Sequence, residues 1–334
     1  MIRILGIETS CDDTASAVVA DGQTILSNII SSQNEFHAKY GGIVPEIASR
    51  KHVELILYVI QEALDKAGVT AEQLDAIAVT NRPGLVGSLL VGLCAGKSLA
   101  YCYQKPFIGV NHLLGHVYAN FLTHPHLEAP HLSLTVSGGH TLIMRVTSPT
   151  QYEILGSTVD DAVGEAYDKV AKFLGLGFPG GPIIDKMAKT GNSDAIEFPS
   201  PLIYSDDLNF SFSGLKTAVI RYVNDEQAAG REINYPDVVA SFQKAAIRVL
   251  AKKVINAAKE QRVATVTLSG GVAANSALRE TLIQDAQRAG IAVYYPPLVM
   301  CTDNGAMIAG VAYHLYQQGV RSDWSLGAYA NLPE

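Results

Sequence analysis

The residues that most suggest chemistry are two histidines four positions apart in Asn111-His112-Leu113-Leu114-Gly115-His116. On a helix that spacing stacks both imidazoles on one face, one turn apart, as in a chelating pair. Two histidines that merely pack or cap would show the same spacing, so the pair alone leaves the metal and the structural reading open. Asn111 suits a helix N-cap and puts His112 at the start of its helix. Asp303, in Cys301-Thr302-Asp303-Asn304-Gly305, stands at another strand-to-helix junction, where it would either cap the last helix or supply a carboxylate. Two His and one Asp leave coordination positions open, so one divalent ion held there could bind substrate. Both Zn2+ and Fe2+ suit such ligands.

Three loops carry the residue types that hold a nucleotide. Glu8-Thr9-Ser10-Cys11-Asp12-Asp13-Thr14 and Thr135-Val136-Ser137-Gly138-Gly139-His140-Thr141 are turns between strands, and Ser269-Gly270-Gly271-Val272-Ala273-Ala274-Asn275 joins a strand to a helix. Glycines bring backbone N–H groups close to an anion and hydroxyls add donors. A strand end followed by a helix is the usual ligand position in open α/β sheets. Neither Gly-x-Gly-x-x-Gly nor Gly-x-x-x-x-Gly-Lys is present, which argues against a dinucleotide fingerprint and a P-loop.

Periodicity shows which elements must position these loops. Strands are expected at 3–9, 15–20 and 24–30, then a helix at 45–67, a strand at 76–80, a helix at 84–103, a strand at 107–110 and a helix after Asn111. The order returns with strands at 131–136, 141–146 and 152–155 and a helix at 161–174. An irregular segment follows, then a helix at 236–261, a strand at 264–268, a helix from Asn275, a strand at 292–295 and a helix from Asp303. This duplicated βββαβαβα core predicts an α/β fold of two lobes. Residues 1–125 would form the first, with the last helix, about 303–320, packing back on it. Residues 126–302 would form the second, with the glycine- and proline-rich stretch 175–235 inserted as a lid or partner surface.

Composition limits the function classes. The 334 residues are 48% hydrophobic and 17% charged, which predicts a folded protein with a large core. The charge-free stretch 83–96 is too short to span a bilayer. No secretory signal opens the chain, so a cytoplasmic protein without membrane attachment is expected. A net charge of -7 means that an RNA partner must be gripped by a local basic patch or with another subunit's help. Cys11, Cys94, Cys102 and Cys301 lack disulfide or Cys-x-x-Cys spacing and read as reduced thiols, Cys11 as a bystander.

Taken together, Gly6-Ile7-Glu8-Thr9-Ser10-Cys11-Asp12, the Asn-His-x-x-Gly-His run, Val136-Ser137-Gly138-Gly139-His140-Thr141 and Cys301-Thr302-Asp303-Asn304-Gly305-Ala306-Met307 resemble the bacterial tRNA threonylcarbamoyladenosine transferase family. Phe178-Pro179-Gly180-Gly181-Pro182, Phe210-Ser211-Phe212-Ser213-Gly214-Leu215-Lys216-Thr217 and Ser269-Gly270-Gly271-Val272 extend the match. The resemblance implies the actin-like, sugar-kinase and heat-shock-chaperone fold. It also implies transfer of threonylcarbamoyl from threonylcarbamoyl-AMP to N6 of the adenosine 3′ of the anticodon, position 37, in tRNAs reading codons that begin with A.

By the same resemblance His112, His116 and Asp303 would be the metal ligands. Thr135, Val136, Ser137, Gly138, Gly139, Asp168, Gly181, Asp185 and Asn275 would form the adenylate pocket, with Asp13 as a general base. A related actin-like scaffold subunit and a small ATPase would be partners beside tRNA. Three positions depart from the family pattern: Asp13 stands for Glu, Asn209 for Asp and Arg82 for Gly. A metallopeptidase is disfavoured because Leu113 occupies the place of the helical zinc peptidases' glutamate. An ATP-dependent small-molecule kinase of the same fold would have no evident use for the histidine pair.

Overall fold

Residues 4–8 and 14–20 are buried without interruption, which fits strands covered on both faces. In the computed structural model, which describes residues 1–331, Arg3–Glu8 (β1), Asp13–Ala20 (β2) and Thr24–Ser32 (β3) form an antiparallel meander. The helices Asn34–Ala38 (α1) and Pro45–Ala67 (α2) follow, then Ala76–Arg82 (β4), Val86–Cys102 (α3), Phe107–Asn111 (β5) and His112–Thr123 (α4). The sheet order is β3-β2-β1-β4-β5, with β4 parallel to β1 and to β5. Pro45 at the first turn and the left-handed Gly68 cap delimit α2.

The second sheet repeats the first strand for strand. It holds His131–Val136 (β6), Thr141–Ser148 (β7) and Gln151–Ser157 (β8), and later Thr265–Ser269 (β9) and Ala292–Tyr294 (β10). Its order, β10-β9-β6-β7-β8, is that of the first sheet read from the other edge. The helices are Val163–Phe173 (α5), Gly180–Ala188 (α6), Ser213–Ala228 (α7), Tyr235–Glu260 (α8), Ser276–Ala289 (α9), Leu298–Cys301 (α10) and Gly305–Gln317 (α11). The duplicated α/β pattern expected from the sequence is therefore present.

The contacts separate into two compact units. Unit 1 comprises 1–127, 148–151 and 296–334, and unit 2 comprises 128–147 and 152–295. Helix α11 lies against β1, β2 and α4 within unit 1. Close backbone approach seats it there. A Cβ on Gly6 would stand 2.2 Å from the Gly305 carbonyl oxygen, and one on Gly305 would stand 2.5 Å from the Ala17 nitrogen. Gly115, between the two histidines, admits Met307 and Ile308 in the same way. These contacts bring Asp303 to α4.

The segment 175–235 is not irregular throughout, because it contains α6 and α7. Gly180, Gly181 and Pro182 open α6, where their poor helix propensity costs little because first-turn N–H groups have no intrahelical acceptor. Asp160 anchors α7 by accepting from the Phe212 and Ser213 nitrogens, and Phe210 and Phe212 are fully buried. Among the described residues no helix is long and apolar enough to cross a membrane. None of the four cysteines forms a disulfide.

Candidate functional site

Helix α4 begins where β5 ends. Asn111 caps it by accepting from the Leu113 nitrogen at 2.8 Å, and every residue from His112 to Leu122 is buried. The two imidazoles therefore sit inside unit 1. Their ring centroids are 4.5 Å apart at 77°. The cap of α11 is Asn304, whose Oδ1 accepts from the Met307 nitrogen at 2.9 Å. Asp303, one residue earlier, turns its Oδ1 to within 3.2 Å of His116 Nε2 and 3.6 Å of His112 Nε2.

One ligand atom from each of the three residues lies within 4.8 Å of the others. Both nitrogens of His116, a residue only 1% exposed, lack a hydrogen-bond partner. An imidazole so deeply buried is costly when unsatisfied. Two nitrogens and one oxygen converging around it fit a divalent cation.

Glu8 was not singled out from the sequence. It is fully buried at the C-terminal end of β1 and accepts from the Ser10 nitrogen and the Thr80 hydroxyl, both at 2.5 Å. His112 Nδ1 stands 3.1 Å from the same carboxylate, which aims Nε2 at Asp303. Burial opposes a charge on His112, but the Asp303 and Glu8 carboxylates outweigh it and lift the imidazole to about 9. The signal available in the sequence was one acid ending an apolar strand.

The turn after β1 is ringed by Glu8, Asp12, Asp13 and Asp303. Burial and the neighbouring carboxylates push Asp12 up to about 6 and Asp13 to about 7. Burial and Asp12 also push the Cys11 thiol up, which keeps it an unreactive thiol. So acidic a turn suits a cation better than a phosphate.

Unit 2 has the opposite character at the C-terminal ends of β6 and β9. The N-terminus of α5 packs on the Ser137–His140 turn, that of α6 on α5, and that of α9 follows the Gly270–Asn275 segment. Gly180 donates to Asp168 Oδ1 at 2.7 Å, and Gly164 donates to the Ser137 carbonyl at 3.2 Å. Some glycines here are dictated by packing, as at Gly164, where a Cβ would meet the Ser137 carbonyl oxygen at 2.6 Å. Gly138, Gly139, Gly181 and Gly271 are different. Nothing lies within 4 Å of a Cβ on any of them, and none has a left-handed φ. Neither packing nor backbone conformation explains these four, and their bare backbone is open to the close approach of a ligand.

The other expected pocket residues are held in several ways. Thr135 and Val136 are fully buried, and the Thr135 hydroxyl lies 2.8 Å from that of Ser269, so they can only support the turn. Asp185 accepts from the Ser276 hydroxyl at 2.9 Å. Asn275 caps α9 through Oδ1 and donates from Nδ2 to Gln243 at 2.8 Å.

Comparison with known proteins identifies the family. Residues 24–310 match the family model described as TsaD, tRNA N6-adenosine threonylcarbamoyltransferase. A curated tRNA N6-adenosine threonylcarbamoyltransferase of Clostridium perfringens is 55% identical over 329 residues, 98% of this chain and 97% of that protein. One from Clostridium botulinum is 52% identical over 331 residues, 99% of this chain and 97% of its own length. The chain belongs to the tRNA N6-adenosine threonylcarbamoyltransferase family.

Solved structures show the fold of this family member. HypF of T. kodakarensis superposes with a TM-score of 0.63 at 15% identity, covering 95% of this chain and 48% of its own. Component A of the Acidaminococcus fermentans (R)-2-hydroxyglutaryl-CoA dehydratase gives 0.58 at 17%, covering 95% and 99%. The fold is the actin-like ATPase fold. Two departures from the family pattern make local contacts. Arg82 lies over the Tyr329 ring, 5.0 Å from its centroid, and Asn209 accepts from the Ser157 nitrogen at 3.1 Å.

Proposed function

We propose that this chain transfers the threonylcarbamoyl group of threonylcarbamoyl-AMP to N6 of adenosine 37 in tRNAs that read codons beginning with A. The observation that carries this reading is the near full-length identity to named threonylcarbamoyltransferases. The His112–His116–Asp303 cluster and the open glycines support its chemistry. Zn2+ or Fe2+ would be held by His112, His116 and Asp303. When bound, the ion supplies a Lewis acid for the threonylcarbamoyl carbonyl.

The chain's own residues account for the remaining steps. N–H groups of Gly138 and Gly139 hold the phosphate, while the Ser137 N–H closes the turn on the His140 carbonyl and Gly181 leaves room beside it. Asp168, Asp185 and Asn275 brace the helix N-termini around the nucleotide. The adenosine amine attacks the carbamoyl carbon, the bond to the phosphate oxygen breaks, and AMP departs. A carboxylate must take the N6 proton, and Asp13, poised at about 7, has a suitable affinity for it. The family resemblance supports an actin-like scaffold subunit and a small ATPase as partners, and tRNA as the acceptor supports a cytoplasmic location.

The direct test incubates the purified chain with threonylcarbamoyl-AMP and unmodified tRNA, with and without partner proteins, and analyses nucleosides by mass spectrometry. Threonylcarbamoyladenosine at position 37 and release of one AMP per modified base are expected. Intact adenosine 37 under every condition would refute the proposal.

Glu8 provides a narrower test. Glu8→Gln keeps the shape but weakens the grip on His112, and such outer-shell changes cost about 10- to 100-fold in metal affinity. Competition against a chromophoric chelator should show that loss with the thermal midpoint of the metal-free protein nearly unchanged. Wild-type affinity would remove Glu8 from the site.

A further inference from the structure

Unit 2 contains a groove of about 1070 Å3 lined by α8, α9 and the end of α6. Helix α8 is buried almost throughout. From Val238 to Ala258 only Lys244, Arg248, Lys252 and Asn256 reach the surface, four residues apart, and Lys259 follows. They form one stripe on the groove wall, about 22 Å long from Lys244 to Lys259 at the helical rise. No acid lies on α8 between Asp237 and Glu260. An ordinary solvated helix face mixes charge signs.

Lys189 and Arg288 add two further cations, so six basic side chains line the groove against Glu280 and Asp285. Some of the charge is offset locally. Lys244 pairs with Asp194, Arg288 lies 3.2 Å from Asp285 and Lys189 lies 4.0 Å from Asp185. The balance remains basic on a chain whose net charge is -7.

An aromatic ring stands within the stripe. Tyr204 is 76% exposed, yet Lys252 Nζ lies 3.9 Å from its ring centroid and Arg248 donates to its hydroxyl at 3.4 Å. The loop that carries it is pinned from below. Buried Lys253 donates to the Ser205 hydroxyl at 2.8 Å and to the Asp207 and Asn209 carbonyls at 2.9 and 2.6 Å. A line of cations beside a fixed, exposed ring is how proteins track a sugar–phosphate backbone and stack a base.

We propose that this groove docks tRNA, with the α8 stripe on backbone phosphates and Tyr204 against a base or ribose. The proposal rests on the reading of tRNA as acceptor and adds where the protein holds it. The test is Arg248→Glu with Lys252→Glu and Lys259→Glu in the full chain, alongside Tyr204→Ala. Fluorescence anisotropy of labelled tRNA across a salt series is read with transfer kinetics.

The triple variant should bind tRNA at least about tenfold more weakly, and its salt slope should fall by about two to three. Its kcat at saturating tRNA and its KM for threonylcarbamoyl-AMP should stay at wild-type values. Tyr204→Ala should weaken binding with an unchanged slope. Wild-type affinity and slope in the triple variant would overturn the proposal, as would a wild-type chain with no salt-dependent affinity for tRNA. Intact tRNA binding with loss of an acidic protein partner would also overturn it. Binding needs no turnover, so a chain that holds tRNA through the groove but transfers nothing would refute the proposed reaction alone.

Discussion

Replacing His116 with alanine should abolish tRNA modification while destabilising the metal-free protein only by the cavity of one buried ring, about 2 to 5 kcal/mol. The two halves of that expectation have separate origins. Neither His116 nitrogen has a hydrogen-bond partner, so alanine gives up the cavity left by the ring and the 3.2 Å contact of Nε2 with the Asp303 carboxylate but no hydrogen bond. Loss of one ligand from a set of three, by contrast, removes the Lewis acid, worth several kcal/mol in such transfers, or about 10³-fold in rate. His112→Ala should lose the same activity and destabilise the fold further, because it strips a partner from the fully buried Glu8 carboxylate. Metal analysis, thermal denaturation with and without added Zn2+ or Fe2+, and nucleoside mass spectrometry follow the three effects separately. A metal-induced rise in the melting midpoint should be present in the parent and absent in both variants. Full modification by His116→Ala would remove the cluster from the reaction.

The contrast between these two histidines also shows what a linear sequence reveals. Their spacing, the Asn111 cap and the strand before it are local features, and local periodicity and capping chemistry expose them. Asp303 was readable as a possible carboxylate, but its capping alternative could be set aside only once Asn304 was seen bonded to the Met307 nitrogen. Glu8 was hidden because its role depends on partners 72 and 104 positions away, Thr80 and His112. Helices α6 and α7 were hidden for a different reason. Glycine and proline at a first turn look like a loop in one dimension, although a helix accepts them there. The α8 stripe was present as a four-residue repeat, but only the burial of every side chain between its members makes it a surface.

Gly139→Val should leave unit 2 folded and remove its use of the adenylate. At most glycines a substitution confounds the two, because the new Cβ strikes backbone. At Gly164 it would meet the Ser137 carbonyl oxygen at 2.6 Å, and at Gly270 it would also face a φ of 85°. Gly139 has neither obstacle, since nothing lies within 4 Å of its Cβ position. A β-branched side chain placed there enters space that no other side chain or backbone atom occupies within 4 Å of its Cβ. It would displace a phosphate held by the Gly138 and Gly139 N–H groups. A shift of about 1 Å in a reacting group costs on the order of 10²-fold, and kcat/KM for threonylcarbamoyl-AMP should fall by at least that much. Metal content, melting midpoint and tRNA affinity should hold at parent values, which separates this failure from those of the histidine and groove variants. Gly271→Val, next to the Gly270 that packs on Val136, offers an independent variant with equally free Cβ space. If both substitutions leave kcat/KM intact, the four open glycines are not a nucleotide cradle, and the phosphate must be held elsewhere.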